Sequence, residues 1–314
     1  MKTILILGGH GFIGSNVLNY IDNHLCDTYN VILFNKSENH PYGIKFNCTS
    51  KSYYGEFSDV ALLKSIFIEN KIDIVFHFIS TTTPATSSNI KYDIKSNLIS
   101  TIDFVNVMIA FNVKNIVYLS SGGAVYGKTS EKNSETSQTQ ATSSYGIVKL
   151  AIEKYLMMFA NNGEIKPLIL RLSNPYGPYH YSMKQGVINI ALRAAFEQNN
   201  FSVWGTGKNS KDYIYVEDFV EILFKLLNLN ISNQIINVGS GKPVNINTIL
   251  FHIKNIYSRF SWKNIEVKNY DIEHFELELT KLKGLIGNHS FTSIEEGLIK
   301  TNRWIKNHEN NVRF

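Results

Sequence analysis

The chain has little cysteine and little proline: two Cys, at positions 26 and 48, and six Pro in 314 residues. Two thiols cannot build a disulfide framework, and they suit a reducing, cytoplasmic setting. Long apolar runs are missing too. None approaches the ~18 residues a membrane helix needs, so no membrane partner is expected. The opening run TILIL meets glycines at once, too soon for a signal-peptide core, and reads as a buried strand. No five like charges stand together, and 31 Lys+Arg against 26 Asp+Glu leave only +5. That is no nucleic-acid footprint; a few phosphates on a small ligand would suit it as well. The nine histidines and two cysteines show no metal-ligand spacing, so no metal is expected. Internal repeats, low-complexity tracts and Pro/Gly/Ser linkers are absent as well, so any two parts of the chain should pack together.

What is present is an alternating rhythm. TILILGG, NVILFN, IDIVFHFIS, VKNIVYLSS and KPLILRLSN read as strands. Between them GFIGSNVLNYIDNHL, DVALLKSIFIEN, DIKSNLISTIDFVNVMIAFN and SYGIVKLAIEKYLMMFANN carry helical spacing. This predicts an α/β fold with a doubly wound parallel sheet over residues 1–173. From residue 174 the rhythm breaks. NPYGPYHYSMKQG reads as a loop, and the remainder to residue 314 as a smaller α+β part, interleaved with the first by a segment returning near 211–240. SENHPYG, the polar stretch TSEKNSETSQTQATS and the last few residues read as loops or a frayed end.

The first strand ends in LGGHGFIG, with Gly8, Gly11 and Gly14 spaced GxxGxxG before a helix. Gly8 serves the tight turn, Gly11 lets backbone approach a pyrophosphate, and Gly14 lets helix and strand close up. Phe12 and Ile13 open a helix whose free N–H groups face the phosphates. The expectation is a Rossmann-type dinucleotide site. The second strand should end in a ribose-reading acid, ~20 residues on. It ends instead in Asn35, followed by Lys36 and Ser37. A neutral amide, a cation and a hydroxyl admit a 2′-phosphate, so NADP(H) is the expected coenzyme, with NAD(H) the alternative.

Tyr145 and Lys149, in SYGIVK, stand four residues apart and share one helical face. A phenol with a reference pKa of ~10 is a poor base at neutral pH. A nearby ammonium and an oxidised nicotinamide favour the phenolate, which can then exchange a proton with an alcohol while hydride moves.

With these motifs in hand the chain resembles the extended short-chain dehydrogenase/reductases of nucleotide-sugar metabolism, the NAD-dependent epimerase/dehydratase family. The resemblance runs along nearly the whole chain through GGHGFIG, SSGGAVYG, YGIVK, RLSNPYGP, WGTGKNSKDYIYVEDF, INVGSGKP and EEGL…W. It implies an NAD(P)-binding domain at 1–173 and a nucleotide-sugar-binding domain at 174–314. Tyr145 and Lys149 match the catalytic pair. Glu56 and Phe57 match the adenine-side residues, and Phe78, Ile79 and Ser80 the wall of the cofactor's central portion. Asn97 matches the Asn of the NLxxT helix. Pro175 passes the nicotinamide, and Asn174 and Tyr176 touch the sugar nucleotide. Thr81 and Thr82 are expected to contact substrate. His77 is expected to be a satisfied interior residue, and Asp212 to brace a phosphate loop.

Three residues depart from the family pattern. Asn35 replaces the ribose acid. Gly122 stands where a relay Ser or Thr is usual; the nearest hydroxyl is Ser121, and the alternatives are Ser143 or Ser144 of the tyrosine-side loop, or water. Lys211 replaces the arginine on the substrate diphosphate and cannot grip it bidentately. The resemblance implies C4 chemistry on a nucleotide-diphosphate sugar: NADPH-dependent reduction of a 4-keto-6-deoxy sugar, or epimerisation with retained NAD. Asn35 and Lys36 favour the reductase. A 4,6-dehydratase is disfavoured by Gly122 and Gly123, where that branch carries an acidic pair, and a non-catalytic regulator by the retained Tyr145 and Lys149. A homodimer is implied as well, through the helices near 93–112 and 145–161, with Phe104, Val105, Val107, Met108 and Phe111 on the first.

Overall fold

The computed structural model describes residues 1–127, 131–266 and 274–308. Thr129 and Ser130 of the expected polar loop, and the chain's final residues 309–314, lie outside the described residues. The strands, in chain order, are β1 (Lys2–Leu7), β2 (Tyr29–Asn35), β3 (Thr49–Tyr54), β4 (Ile74–His77), β5 (Asn115–Ser121) and β6 (Lys166–Leu172). Then follow β7 (Asn174–Tyr176), β8 (Phe201–Trp204), β9 (Ser210–Tyr215), β10 (Gln234–Val238), β11 (Pro243–Asn245), β12 (Trp262–Ile265) and β13 (His274–Phe275).

Seven strands form one parallel sheet in the order β3-β2-β1-β4-β5-β6-β10. Ile4, Leu5, Ile6 and Leu7 of β1 are all fully buried. Helices cover both faces, which is why the central strands are continuous apolar runs. Phe12–His24 and Val216–Asn228 pack on one face through Val17, Leu18, Ile21, Phe219 and Leu223. Val60–Glu69, Ser100–Ala110 and Ser144–Asn161 cover the other through Leu63, Ile66, Phe104, Met108, Val148 and Ile152. The long helix expected near 93–112 is interrupted. An α-helical turn Ile90–Asp93 runs into a π-helical turn Ile94–Ile99 before the α-helix Ser100–Ala110.

The chain leaves this sheet after β6 and builds a second lobe, then returns to lay β10 beside β6. In the lobe β9 pairs with β7, β11 and β13, while β8 pairs with β12. The helices Val187–Phe196, Ile246–Ile256 and Ile294–His308 enclose its own core. The stretch NPYGPYHYSMKQG is not wholly loop: its first three residues are β7, and Tyr179 and His180 are buried. The SENHPYG loop is likewise docked, with His40 bonded to Ser15 Oγ at 2.9 Å and Tyr42 against Trp304.

Phe104, Val105, Val107 and Met108 are buried inside the single chain, so they cannot form a seam with a partner. The exposed apolar side chains on the same two helical segments are Ile94, Ile99, Ile147, Tyr155 and Met158.

Candidate active site

The glycine turn sits where β1 meets the first helix. Gly8 has φ +85°, and its carbonyl accepts from Gly11 N at 3.1 Å. A Cβ on Gly14 would stand 2.4 Å from Gly8 O and 2.6 Å from Gly9 Cα, so only glycine allows that approach. A Cβ on Gly11 would meet only Gly8 O within 4 Å, leaving its outer side open. Gly11 caps the Phe12–His24 helix with no side chain, and its first turn holds no acid. These free N–H groups and the positive helix end fit a dinucleotide pyrophosphate.

At the end of β2, Asn35 Oδ1 accepts from His10 N at 2.9 Å, while Asn35 Nδ2 and His10 Nδ1 are buried without a hydrogen-bond partner of good geometry. Lys36 does not stand alone: its Nζ is 2.8 Å from Glu56 Oε1, with both side chains largely exposed. Ser37 Oγ accepts from Asn39 N. Phe57 is buried against Phe34, His77 and Phe104. Ile79 packs against Gly8, Phe78 against Phe76, and Phe12 against His180. Ile13 is in the core. Pro175 is held in β7 opposite Ile214.

Tyr145 and Lys149, the expected catalytic pair, lie on the first turns of the Ser144–Asn161 helix, capped by Ser143 Oγ on Gly146 N. Gly146 is needed there because a Cβ would meet Ala124 O at 2.4 Å. Burial pushes the Tyr145 phenol up to about 12, against a hydrogen bond with Ser121 that pulls it down. Burial also pushes the Lys149 ammonium down to about 8, with Glu153 opposing. Lys149 Nζ donates to Leu119 O at 2.8 Å and sits 4.9 Å from the Tyr118 ring centroid and 5.8 Å from that of Tyr145.

Three successive residues of β5 thus engage three turns of one helix. Ser121 meets Tyr145, Leu119 meets Lys149, and Ser120 Oγ donates to Glu153. Glu153 is in turn gripped by Arg171 of β6, through Nη2 at 2.7 Å and Nε at 3.1 Å. The Glu153–Arg171 pair is a structural support the sequence reading missed. Its signal, an acid one turn past Lys149, is indistinguishable in sequence from a surface glutamate.

A cavity of about 10 Å³ is lined by Tyr145 and Lys149 together with His77, Tyr118, Thr82 and Asn97. His77 Nε2 is 2.9 Å from Thr101 Oγ1, so it is an interior residue bonded at one nitrogen. Its Nδ1 and Tyr118 Oη have no partner among the described residues.

The other residues expected at the ligands make contacts within the chain. Asn97 spends its amide on Thr81, accepting from the backbone N at 2.8 Å and donating to Oγ1 at 2.7 Å. Ser80 Oγ donates to Thr82 O. Thr81 is exposed and Thr82 buried. Asn174 Nδ2 donates to Asp212 O. Tyr176 is 2% exposed in the lobe core, its ring against Tyr215 and its hydroxyl against Gly297. Lys211 is half-buried in mid-strand, opposite Val244 and Phe275. Asp212 braces the turn after β10, accepting from Ser240 N at 2.8 Å and Gly241 N at 3.1 Å. At Gly122 a Cβ would meet Leu277 at 3.1 Å and Phe275 at 3.3 Å; the space of a relay side chain is filled from the second lobe.

Comparison with known proteins agrees with this geometry. Residues 4–239 match the family described as NAD dependent epimerase/dehydratase family. An Escherichia coli dTDP-4-dehydro-6-deoxyglucose reductase is 30% identical over 79% of each chain. A Methanocaldococcus jannaschii protein provisionally named a UDP-glucose 4-epimerase is 29% identical over 97% of this chain and 98% of its own. The crystal structure of UDP-glucose 4-epimerase with UDP-glucose from Thermotoga maritima superposes with a TM-score of 0.88 at 28% identity, covering 98% and 99% of the two chains.

Proposed function

The chain belongs to the NAD dependent epimerase/dehydratase family, and from that premise we propose that it acts at C4 of a nucleotide-diphosphate sugar. The observation that supports this reading is that Tyr145 and Lys149 line one cavity with Ile79, which packs against Gly8 of the glycine turn. The glycine turn, Asn35 and Lys149 would hold the dinucleotide. Bound nicotinamide supplies the hydride donor or acceptor. Tyr145 takes the C4 hydroxyl proton or returns it, and Ser121 holds that hydroxyl and the phenol in line. A phenol near 12 needs help to ionise at neutral pH. Lys149, with a pKa of about 8, is still an ammonium at pH 7 and supplies part of it.

Two outcomes share this machinery. In the sequence, Asn35 and Lys36 favour an NADPH-dependent reductase. In the fold Lys36 is paired with Glu56, so the two carry no net charge toward a 2′-phosphate. That favours a UDP-sugar 4-epimerase with retained NAD. The second reading is reduction of a 4-keto-6-deoxy sugar nucleotide such as dTDP-4-dehydro-6-deoxyglucose, favoured by the absence of a repelling acid at Asn35.

The deciding assay offers UDP-glucose or UDP-N-acetylglucosamine without added coenzyme, and separately dTDP-4-dehydro-6-deoxyglucose with NADPH. Isomerised sugar without coenzyme consumption supports the epimerase, and NADPH consumption supports the reductase. Neither outcome in any arm would sink the C4 reading. We also expect a cytoplasmic homodimer, in which the exposed Ile94, Ile99, Ile147, Tyr155 and Met158 meet a second copy. A monomeric mass in solution would refute the dimer.

A further inference from the structure

The loop of residues 36–48, between β2 and β3, is tied to the Phe12–His24 helix at two points. Near its returning end Asn47 N donates to Asp22 Oδ2 at 2.8 Å. At its middle His40 is buried with both ring nitrogens used. Tyr42 N donates to Nδ1 at 3.1 Å, so Nδ1 is the accepting nitrogen of a neutral ring and Nε2 carries the hydrogen. Nε2 therefore donates to Ser15 Oγ at 2.9 Å. The Ser15 hydroxyl in turn donates to Gly11 O at 2.8 Å. Gly11 is the cap residue where the glycine turn enters the helix. His10, inside the turn, meets the His40 ring edge-on at 5.4 Å.

The same loop reaches the second lobe. Arg193 Nη2, on the Val187–Phe196 helix, donates to Tyr42 Oη at 2.7 Å. Trp304, on the Ile294–His308 helix, packs edge-on to the Tyr42 ring at 4.6 Å. Arg193 Nη2 also donates to His180 O, and the His180 ring lies 4.6 Å from that of Phe12. Ser15, His40, Tyr42 and Arg193 are all buried. A hydrogen-bonded path thus runs from the Gly11 carbonyl to the second lobe, and contiguous networks of this kind carry coupling between sites.

We propose that His40 is a positioning residue that couples the glycine turn to the second lobe, so that loosening the lobe contact also loosens the bound coenzyme. The inference rests on the coenzyme-holding role given to the glycine turn above, and not on the choice between epimerase and reductase.

The experiment loads the protein with NADH, or with NADPH if that binds tighter, and follows its release into excess NAD or NADP by fluorescence. His40→Asn keeps an acceptor for Tyr42 N but is too short to reach Ser15. His40→Gln can still present an amide donor to Ser15. Release should be about 5- to 30-fold faster in His40→Asn and in Ser15→Ala, the scale of one buried hydrogen bond lost. The double variant should be no faster than the faster single one, since both cut one tie. His40→Gln should stay within about threefold of wild type. Tyr42→Phe cuts the path at its far end, away from the turn. It should also speed release, about 3- to 10-fold, with faster hydrogen exchange in a peptide covering 9–16. Release from His40→Asn within twofold of wild type, additive losses, His40→Gln as fast as His40→Asn, or unchanged 9–16 exchange in Tyr42→Phe would each overturn the proposal. If the His40 variants do not fold, Tyr42→Phe decides alone. If wild type binds neither coenzyme, the coenzyme reading fails, while exchange in 9–16 still decides whether the loop fixes the turn.

Discussion

Replacing Glu153 with Gln tests how much of the site's order comes from beneath it. Glu153 is fully buried and Arg171 only 3% exposed by side chain. The carboxylate accepts Arg171 Nε and Nη2 and the hydroxyl of Ser120. Glutamine keeps one accepting oxygen and turns an NH₂ toward groups that also donate. The guanidinium then keeps Tyr126 Oη at 2.9 Å and the more distant Glu135 O at 3.5 Å, neither of them an anion. Breaking such a buried pair from one side costs about 3–5 kcal/mol. With about 2.1 cal/mol/K of unfolding entropy per residue over 314 residues, Tm should fall by about 5–8 °C. Differential scanning calorimetry with urea titration measures both. The double variant Glu153→Leu/Arg171→Met should recover most of the loss, because no charge is left buried. There is a second readout. Glu153 holds the Lys149 pKa up, so Glu153→Gln should move Lys149 below about 8, shifting the pH profile of turnover to lower pH. A loss under about 1 kcal/mol, or a double variant no better than the single one, would refute the reasoning.

Acid should weaken the fold through three buried neutral histidines. Burial lowers His40 to about 4, His77 to about 3 and His180 to about 4, from an unfolded value near 6.5. Below 6.5 the unfolded chain binds these protons first, so stability falls as pH drops toward 3–4, by up to roughly 4 kcal/mol per pH unit. Urea midpoints between pH 7 and 4 would show it, and a flat profile would contradict it. Gly14→Ala should weaken coenzyme binding more than tenfold while the chain stays folded, measured by coenzyme fluorescence. Tyr145→Phe should cost about 10²–10⁴ in kcat with coenzyme affinity kept, and Ser121→Ala a smaller factor in the same direction. Glu56→Gln frees Lys36 and should shift the NADPH-to-NADH affinity ratio toward NADPH, a change that 1 M salt should largely erase.

Much of the candidate site is legible in the sequence because its motifs are local. GGHGFIG and SYGIVK each hold their candidate residues within one or two turns of chain, and the central strands announced themselves as unbroken apolar runs. What stayed hidden depends on partners distant in sequence. β3, TSKSYY, lies at the sheet edge and buries little, so it carries no apolar run. Lys36 read as a free cation until folding set Glu56 beside it. Tyr176 read as a substrate contact, yet β7 turns it into the lobe core against Gly297. Gly122 read as a missing hydroxyl, and only the packing of Phe275 and Leu277 gives its physical reason. The Val216–Asn228 helix has apolar residues at helical spacing, but it follows β9 directly with no turn residue between them, so no boundary in the sequence marks its start.

The position of β10 has a consequence for how the protein is made. β6 is bordered by β5 on one side and by β10 on the other, and β10 begins about sixty residues after β6 ends. On a ribosome adding about 5–20 residues per second, β6 therefore waits roughly 3–12 s with one edge unpaired. Its sequence, KPLILRL, is apolar enough to recruit another strand in that interval. A fragment stopped near residue 173 would carry that open edge permanently, so the first lobe should be insoluble when expressed by itself. The second lobe is then not a detachable attachment but the route by which the chain delivers the strand that closes the first.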